Sequence, residues 1–167
     1  ALPIANDGRA WDGQVLDSRT LEIEAASLHE CTVVERSDGT LLLMMRNQHP
    51  NGRVLTSVSD NAGQTWGPVE TATEIPEIFC QPNAVVVDAD RDIVAFVNAS
   101  QMMPYRGNGV LRISRDGGRT WPWSRTLNPG HHVYQSMAVL DDGDLGVLWE
   151  NEWQGLYFTR VPRTWWA

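Results

Sequence analysis

Five residues, Glu30, Arg46, Arg106, Tyr134 and Glu150, are of types that do chemistry when they converge. Two arginines facing one cavity favour an anionic ligand, and the planar guanidinium suits a carboxylate held by two parallel hydrogen bonds. A tyrosine near a glutamate is a phenol with a proton acceptor, which makes an oxygen nucleophile. Spacing argues for convergence. Glu30 and Arg46 flank Asp38-Gly39, a hairpin-turn signal, with an index sum of 76 against the turn's 77. Tyr134 and Glu150 flank Asp142-Gly143 with a sum of 284 against 285. The two pairs therefore hold equivalent places in two hairpins. Arg106 precedes a third strand. In an antiparallel meander the start of strand one, the end of strand two and the start of strand three share a rim. Singly, an arginine after an apolar strand is ordinarily a solvated end and a strand-opening tyrosine is ordinarily packing. Their combination in register on one rim is what carries the signal.

Positioning these residues requires a regular array of short strands, and a recurring box supplies the regularity. Ser114-Arg115-Asp116-Gly117-Gly118-Arg119-Thr120-Trp121 is repeated as Ser59 to Trp66 and, eroded, as Ile4 to Trp11. Successive box tryptophans lie 55 residues apart in both intervals. Ser and Asp side chains bond the backbone of a tight turn, Gly permits positive φ and Trp packs beside it, so the box reads as a turn clasp. Between boxes lie strands bounded by turn residues: Val15 to Ile23, Cys31 to Glu35, Leu41 to Met45, Arg53 to Val58, Ala84 to Val87, Ile93 to Val97, Val110 to Ile113, Met137 to Leu140, Leu145 to Trp149 and Leu156 to Val161. The reading is an all-β chain of about three four-stranded antiparallel blades, part of a β-propeller and a single partial domain over residues 1–167. Propellers close with ~4 to 8 blades, so other blades, from a further segment or a second chain, complete the ring.

Composition narrows the partners. A net charge of -8 argues against nucleic acid, and no apolar run approaches the ~20 residues of a membrane span. Cys31 and Cys80 lack metal-type spacing and read as buried free thiols. His131 and His132 have no ligand cluster to join, so neither metal nor cofactor is expected. Asn98-Ala99-Ser100 matches a glycosylation sequon, with a pocket role for Asn98 as the other reading. Arg36, Arg53, Arg91, Arg112, Arg119 and Arg125 read as surface or ladder residues. Trp153 is the tryptophan singled out for stacking on a sugar's leaving group.

From about Leu28 onward the chain resembles the C-terminal half of exo-α-sialidases, six-bladed propellers with Asp-box (BNR) repeats. The resemblance is carried by His29-Glu30-Cys31, Ser37-Asp38-Gly39, Met45-Arg46-Asn47, Phe96-Val97-Asn98-Ala99 leading to Arg106, Tyr134-Gln135-Ser136 and Leu148-Trp149-Glu150. It implies Tyr134 as nucleophile and Glu30 as its base. Arg46 and Arg106 would be two members of an arginine triad on the sialic acid carboxylate, with Glu150 orienting the third. The substrate would be a terminal sialic acid on a glycan, hydrolysed with retention. A phenol nucleophile suits such a sugar, because a carboxylate on the anomeric carbon repels an Asp or Glu, and sialidases are a recognised exception to the two-carboxylate scheme. The family's remaining arginine and its acid/base Asp match no stretch of this chain. The alternative is a non-catalytic Asp-box propeller that binds glycan or protein, since box turns occur in proteins of many functions.

Overall fold

The structure is a computed structural model that describes residues 28–48, 51–102, 105–152 and 154–166. The eroded box at Ile4 to Trp11, the strand expected over Val15 to Ile23 and Trp153 lie outside the described residues. Eleven strands and one short 3-10 helix, Arg163–Trp165, make up the described chain. No helix among the described residues is long and apolar enough to cross a membrane.

β1 (Leu28–Glu35), β2 (Leu41–Asn47), β3 (Arg53–Ser59) and β4 (Glu70–Pro76) form a meander sheet in chain order. β5 (Asn83–Asp88), β6 (Ile93–Gln101), β7 (Gly107–Ser114) and β8 (Trp123–His131) form a second. β9 (Gln135–Val139), β10 (Leu145–Asn151) and β11 (Gly155–Val161) form a third, so the last sheet has three strands where four were expected. All pairings are antiparallel. Innermost strands β1, β5 and β9 stand side by side, and Thr32 Oγ1 accepts from Ala84 N–H at 3.2 Å to stitch the first two sheets. Three sheets arranged in this way are successive propeller blades.

β6 explains how the blades hold together. Its run Ile93-Val94-Ala95-Phe96-Val97 is apolar on both faces, as a strand buried on both sides must be. Val94 and Phe96 pack with Val34, Leu42, Met44 and Val54 of the first blade. Ile93, Ala95 and Val97 pack with Met137, Leu145 and Val147 of the third. Phe96 is fully buried, and truncation to Ala at such a site costs about 3 to 5 kcal/mol. Asn98, next on that strand, is 1% exposed, accepts from Arg112 Nη1 at 2.8 Å and donates to Pro76 O at 2.7 Å. Its side chain is closed to glycan attachment and does not line the cavity described below. Arg36 is also buried, against the surface reading, while Arg112 is a buried member of the β6–β7–β8 ladder; burial brings its guanidinium down to about 10. Cys80 is buried but Cys31 is exposed, because β1 is paired on one side only and shows most of its length to solvent.

Both described boxes form the expected clasp. Asp116 Oδ1 accepts from Ser114 Oγ at 2.6 Å, Arg119 N at 3.0 Å and Thr120 N at 2.9 Å, while Oδ2 takes Thr120 Oγ1 at 2.6 Å. Asn61 repeats this with Ser59 and Thr65. Trp121 is buried against Phe96, ring centroids 5.6 Å apart. These turns and the Asp-Gly hairpins share one rim, which leaves the strand ends carrying Arg46, Arg106, Tyr134 and Glu150 on the other.

Candidate active site

Glu30 and Arg46 sit just beyond the last regular pair of the β1–β2 ladder, at its irregular end. Cys31 pairs with Met45, which carries the index sum of 76, and the register then slips so that Leu28 meets Asn47. Such an irregularity re-aims the side chains beside it. Arg46 Nη1 donates to both Glu30 carboxylate oxygens, at 3.0 and 2.9 Å. The Arg46 side chain is 8% exposed and that of Glu30 42%. Burial alone would raise the Glu30 pKa, but a backbone amide, the Arg46 charge and the Arg46 hydrogen bond together hold it below the ordinary carboxylate range. Glu30 is therefore ionised at neutral pH.

Tyr134 and Glu150 extend the β9–β10 ladder by one step. Gln135 pairs with Trp149, and beyond them Glu150 N–H donates to Tyr134 O at 3.0 Å while Val133 N–H donates to Glu150 O at 3.0 Å. Opposed residues share a sheet face, so the phenol and the Glu150 carboxylate start from the same side. Tyr134 packs on Ile78, Cys80, Ala99 and Val133. The Cys80 S–H donates to Val133 O at 2.8 Å, and burial pushes this thiol up to about 12, so it serves as packing beneath the tyrosine.

Arg106 reaches the site from the turn that opens β7. Its backbone is left-handed, φ 48°, and its carbonyl accepts from His132 N–H at 2.8 Å. The guanidinium carbon lies 5.3 Å from the Tyr105 ring centroid and 5.5 Å from that of Tyr134, within cation–π range. Nη1 pairs with Glu152 Oε1 at 3.3 Å.

Arg46 and Arg106, from separate blades, line one cavity of about 330 Å³ together with Gln48, Phe79 and Tyr105. Among the described residues neither Arg46 Nε nor Arg106 Nε has a hydrogen-bond partner, though both atoms are buried. Two guanidinium groups on one cavity suit an anionic ligand such as a carboxylate. No group of three His, Cys, Asp or Glu that could hold a metal occurs among the described residues.

Several contributors were not legible in the sequence. Glu152 pairs with Arg106 and lies 3.3 Å from His131 Nε2. His132 is fully buried and stacked at 5.0 Å on Trp149, which in turn stacks at 4.6 Å on Tyr157. Burial lowers the His132 pKa to about 4, only partly opposed by its bond to Gln135, so the ring is neutral. This column braces the strand end that carries Glu150 and, through the His132 amide, the Arg106 turn. A Trp–Glu pair closing β10 was the available signal for it.

Residues 5–147 match the BNR repeat-like domain family. A sialidase from Micromonospora viridifaciens is 32% identical over 150 residues, 86% of this chain and 22% of that protein. A sialidase from Bacteroides fragilis (strain YCH46) is 28% identical over 141 residues, 79% of this chain and 26% of that protein. Among solved structures, Hadza microbial sialidase Hz136 aligns with a TM-score of 0.71 at 26% identity, over 82% of this chain and 28% of that one. The chain thus spans about a quarter of the length of these proteins. It belongs to the BNR repeat-like domain family, as a member of the sialidase group with its β-propeller fold.

Proposed function

We propose that this chain supplies the nucleophile side of an exo-α-sialidase, a retaining glycoside hydrolase whose propeller is completed by blades outside these 167 residues. The observation that carries the reading is the pair of arginines from separate blades on one cavity, each with a buried unpartnered Nε, beside the Tyr134 ring. In this mechanism Arg46 and Arg106 hold the carboxylate of a terminal sialic acid on a glycan. Each charge-assisted contact contributes ~1.5 to 3 kcal/mol. Arg46 engages Glu30 through Nη1, so Glu30 stays anchored and ionised beside the carboxylate grip. Glu30 draws the phenolic proton and the Tyr134 oxygen attacks the anomeric carbon. An acid supplied by the completing blades protonates the leaving oxygen; water, deprotonated by that same group, then attacks the anomeric carbon and breaks its glycosidic bond to the Tyr134 oxygen, which regains its proton from Glu30 as the sugar leaves with retention. Glu150, opposite Tyr134, orients a further arginine from those blades.

The test is hydrolysis of a fluorogenic sialoside by this chain alone and by a protein in which it is joined to the completing blades. Tyr134→Phe in the joined protein lowers turnover by ~100-fold or more, with circular dichroism and unfolding midpoint unchanged. A near-normal rate for that variant removes Tyr134 from the mechanism.

A further inference from the structure

The connection between β4 and β5 meets the arginine cavity from below, and its residues fall outside the five discussed so far. Its run Glu77-Ile78-Phe79-Cys80, which follows Ile75-Pro76 at the end of β4, places one carboxylate among apolar side chains. Glu77 is 3% exposed; its Oε1 accepts from Cys80 N–H at 2.7 Å, and its own N–H donates to Gly52 O at 2.9 Å. Burial raises its pKa, opposed by the amides of Cys80, Phe79 and Asn47 and by the Arg46 charge. Glu77 thus ties the connection to the strand end that carries Arg46. Within the turn it caps, Phe79 is left-handed, φ 63°. A bulky residue persists in that conformation only where its surroundings enforce it, at a cost on the order of 1 to 3 kcal/mol. Glycine would avoid the cost. What phenylalanine adds is its ring, which lines the cavity between Arg46 and Arg106 alongside Tyr105.

We propose that Phe79 is a specificity-determining residue of this cavity: its ring receives the apolar face of a carboxylate ligand whose charge the two arginines hold. The ligand class is then a ring-bearing carboxylic acid rather than a bare anion, and Glu77 is the positioning residue that presents Phe79. The inference rests on the reading of Arg46 and Arg106 as a carboxylate grip.

Two probes separate charge from apolar contact: acetate and cyclohexanecarboxylate, titrated into the 167-residue chain and followed by amide chemical shifts. Covering one face of the ring makes cyclohexanecarboxylate the tighter ligand by about tenfold. In Phe79→Gly, whose backbone suits the positive φ, the preference falls below about twofold while acetate affinity holds, because glycine removes only the ring. Phe79→Leu keeps part of the preference. Equal affinity of the native chain for the two acids, or an undiminished preference in Phe79→Gly, overturns the assignment. Binding of neither acid overturns it too; sialoside turnover by the joined protein then decides separately whether the arginine reading stands.

Discussion

Each rim of the blades carries a cavity, and the two differ in kind. On the turn rim a cleft of about 530 Å³ is lined by Arg36, Arg119, Glu70 and Glu74 with threonines and Trp121. Three of its charged side chains have partners: Arg36 Nε donates to Gly117 O at 2.6 Å, Glu74 accepts from Trp121 N–H at 2.8 Å and Arg119 pairs with Asp38 at 3.3 Å. The cavity on the opposite rim is smaller, about 330 Å³, and its charged lining is the two arginines, each with a buried donor left over. Backbone strain divides similarly. Positive φ on the turn rim falls on Gly39, Gly63, Gly117, Gly118 and Gly143, with Ala62 and Asp92 as exceptions, whereas around the cavity rim it includes Phe79, Arg106 and Asn108. Volume is therefore a poor guide to function here. One rim spends its polar groups on holding the blades, and the other keeps some in reserve for a ligand.

That contrast can be broken where the cavity rim has its own support. Gly109 of β7 lies against His132, and a Cβ there would overlap the imidazole. Gly109→Ala therefore destabilises the chain by about 3 kcal/mol and also loosens the Arg106 turn that the His132 amide holds. Urea unfolding checks the first effect and acetate titration the second; a variant as stable as the native chain shows that the column is not the brace described.

Acid gives the next largest effect. His132 has its pKa lowered from 6.5 to about 4 by burial, so between those values the unfolded chain binds a proton that the native chain does not. Stability is fully retained above pH 6.5 and falls as pH drops towards 4, by up to about 3 kcal/mol at the lower end. Urea midpoints measured across that window should slope downwards with acid, and His132→Gln should flatten the slope. Asp116, whose carboxyl is held low by its Ser114, Thr120 and Arg119 bonds despite burial, loses its contribution only further down, as pH falls through its depressed pKa.

The smallest effects come as a pair that sharpens the comparison. Asp116→Ala removes four hydrogen bonds from a turn and costs about 2 kcal/mol of stability without changing acetate affinity. Arg46→Lys keeps a charge but loses the planar fork, so acetate affinity falls by about tenfold while stability falls less than in Asp116→Ala. Equal stability losses in the two variants would erase the distinction between the rims.

The sequence made the inner three strands of each blade legible because apolar stretches and Asp-Gly turns bound them, as at Ala84 to Val87 and Ile93 to Val97. Outer strands β4 and β8 were not located, since Glu70–Pro76 buries only Ile75, Trp123–His131 buries no residue fully, and neither carries a clean apolar alternation. Index sums of 76 and 284 survive in the ladders next to Glu30 and Tyr134, because side-chain alternation fixes register where one face is buried. Partners brought in by turns were out of reach. Glu152 meets Arg106 through the left-handed backbone at that arginine, and Glu77 accepts from the Cys80 amide across the turn that holds Phe79; no local pattern announces either. The same holds for Asn98, whose sequon spacing concealed a buried amide bonded to Arg112.

The double-sided burial of β6 has a consequence for how the chain can vary. A change of volume at Val94 or Phe96 is felt by the first blade and one at Ile93, Ala95 or Val97 by the third, so the strand cannot shift to relieve one neighbour without pressing on the other. A polar side chain beside that run is tolerated when both its donor and its acceptor are met, the condition Asn98 fulfils between Pro76 of the first blade and Arg112 of its own. The middle blade is in that sense the keystone whose shape its two companions inherit.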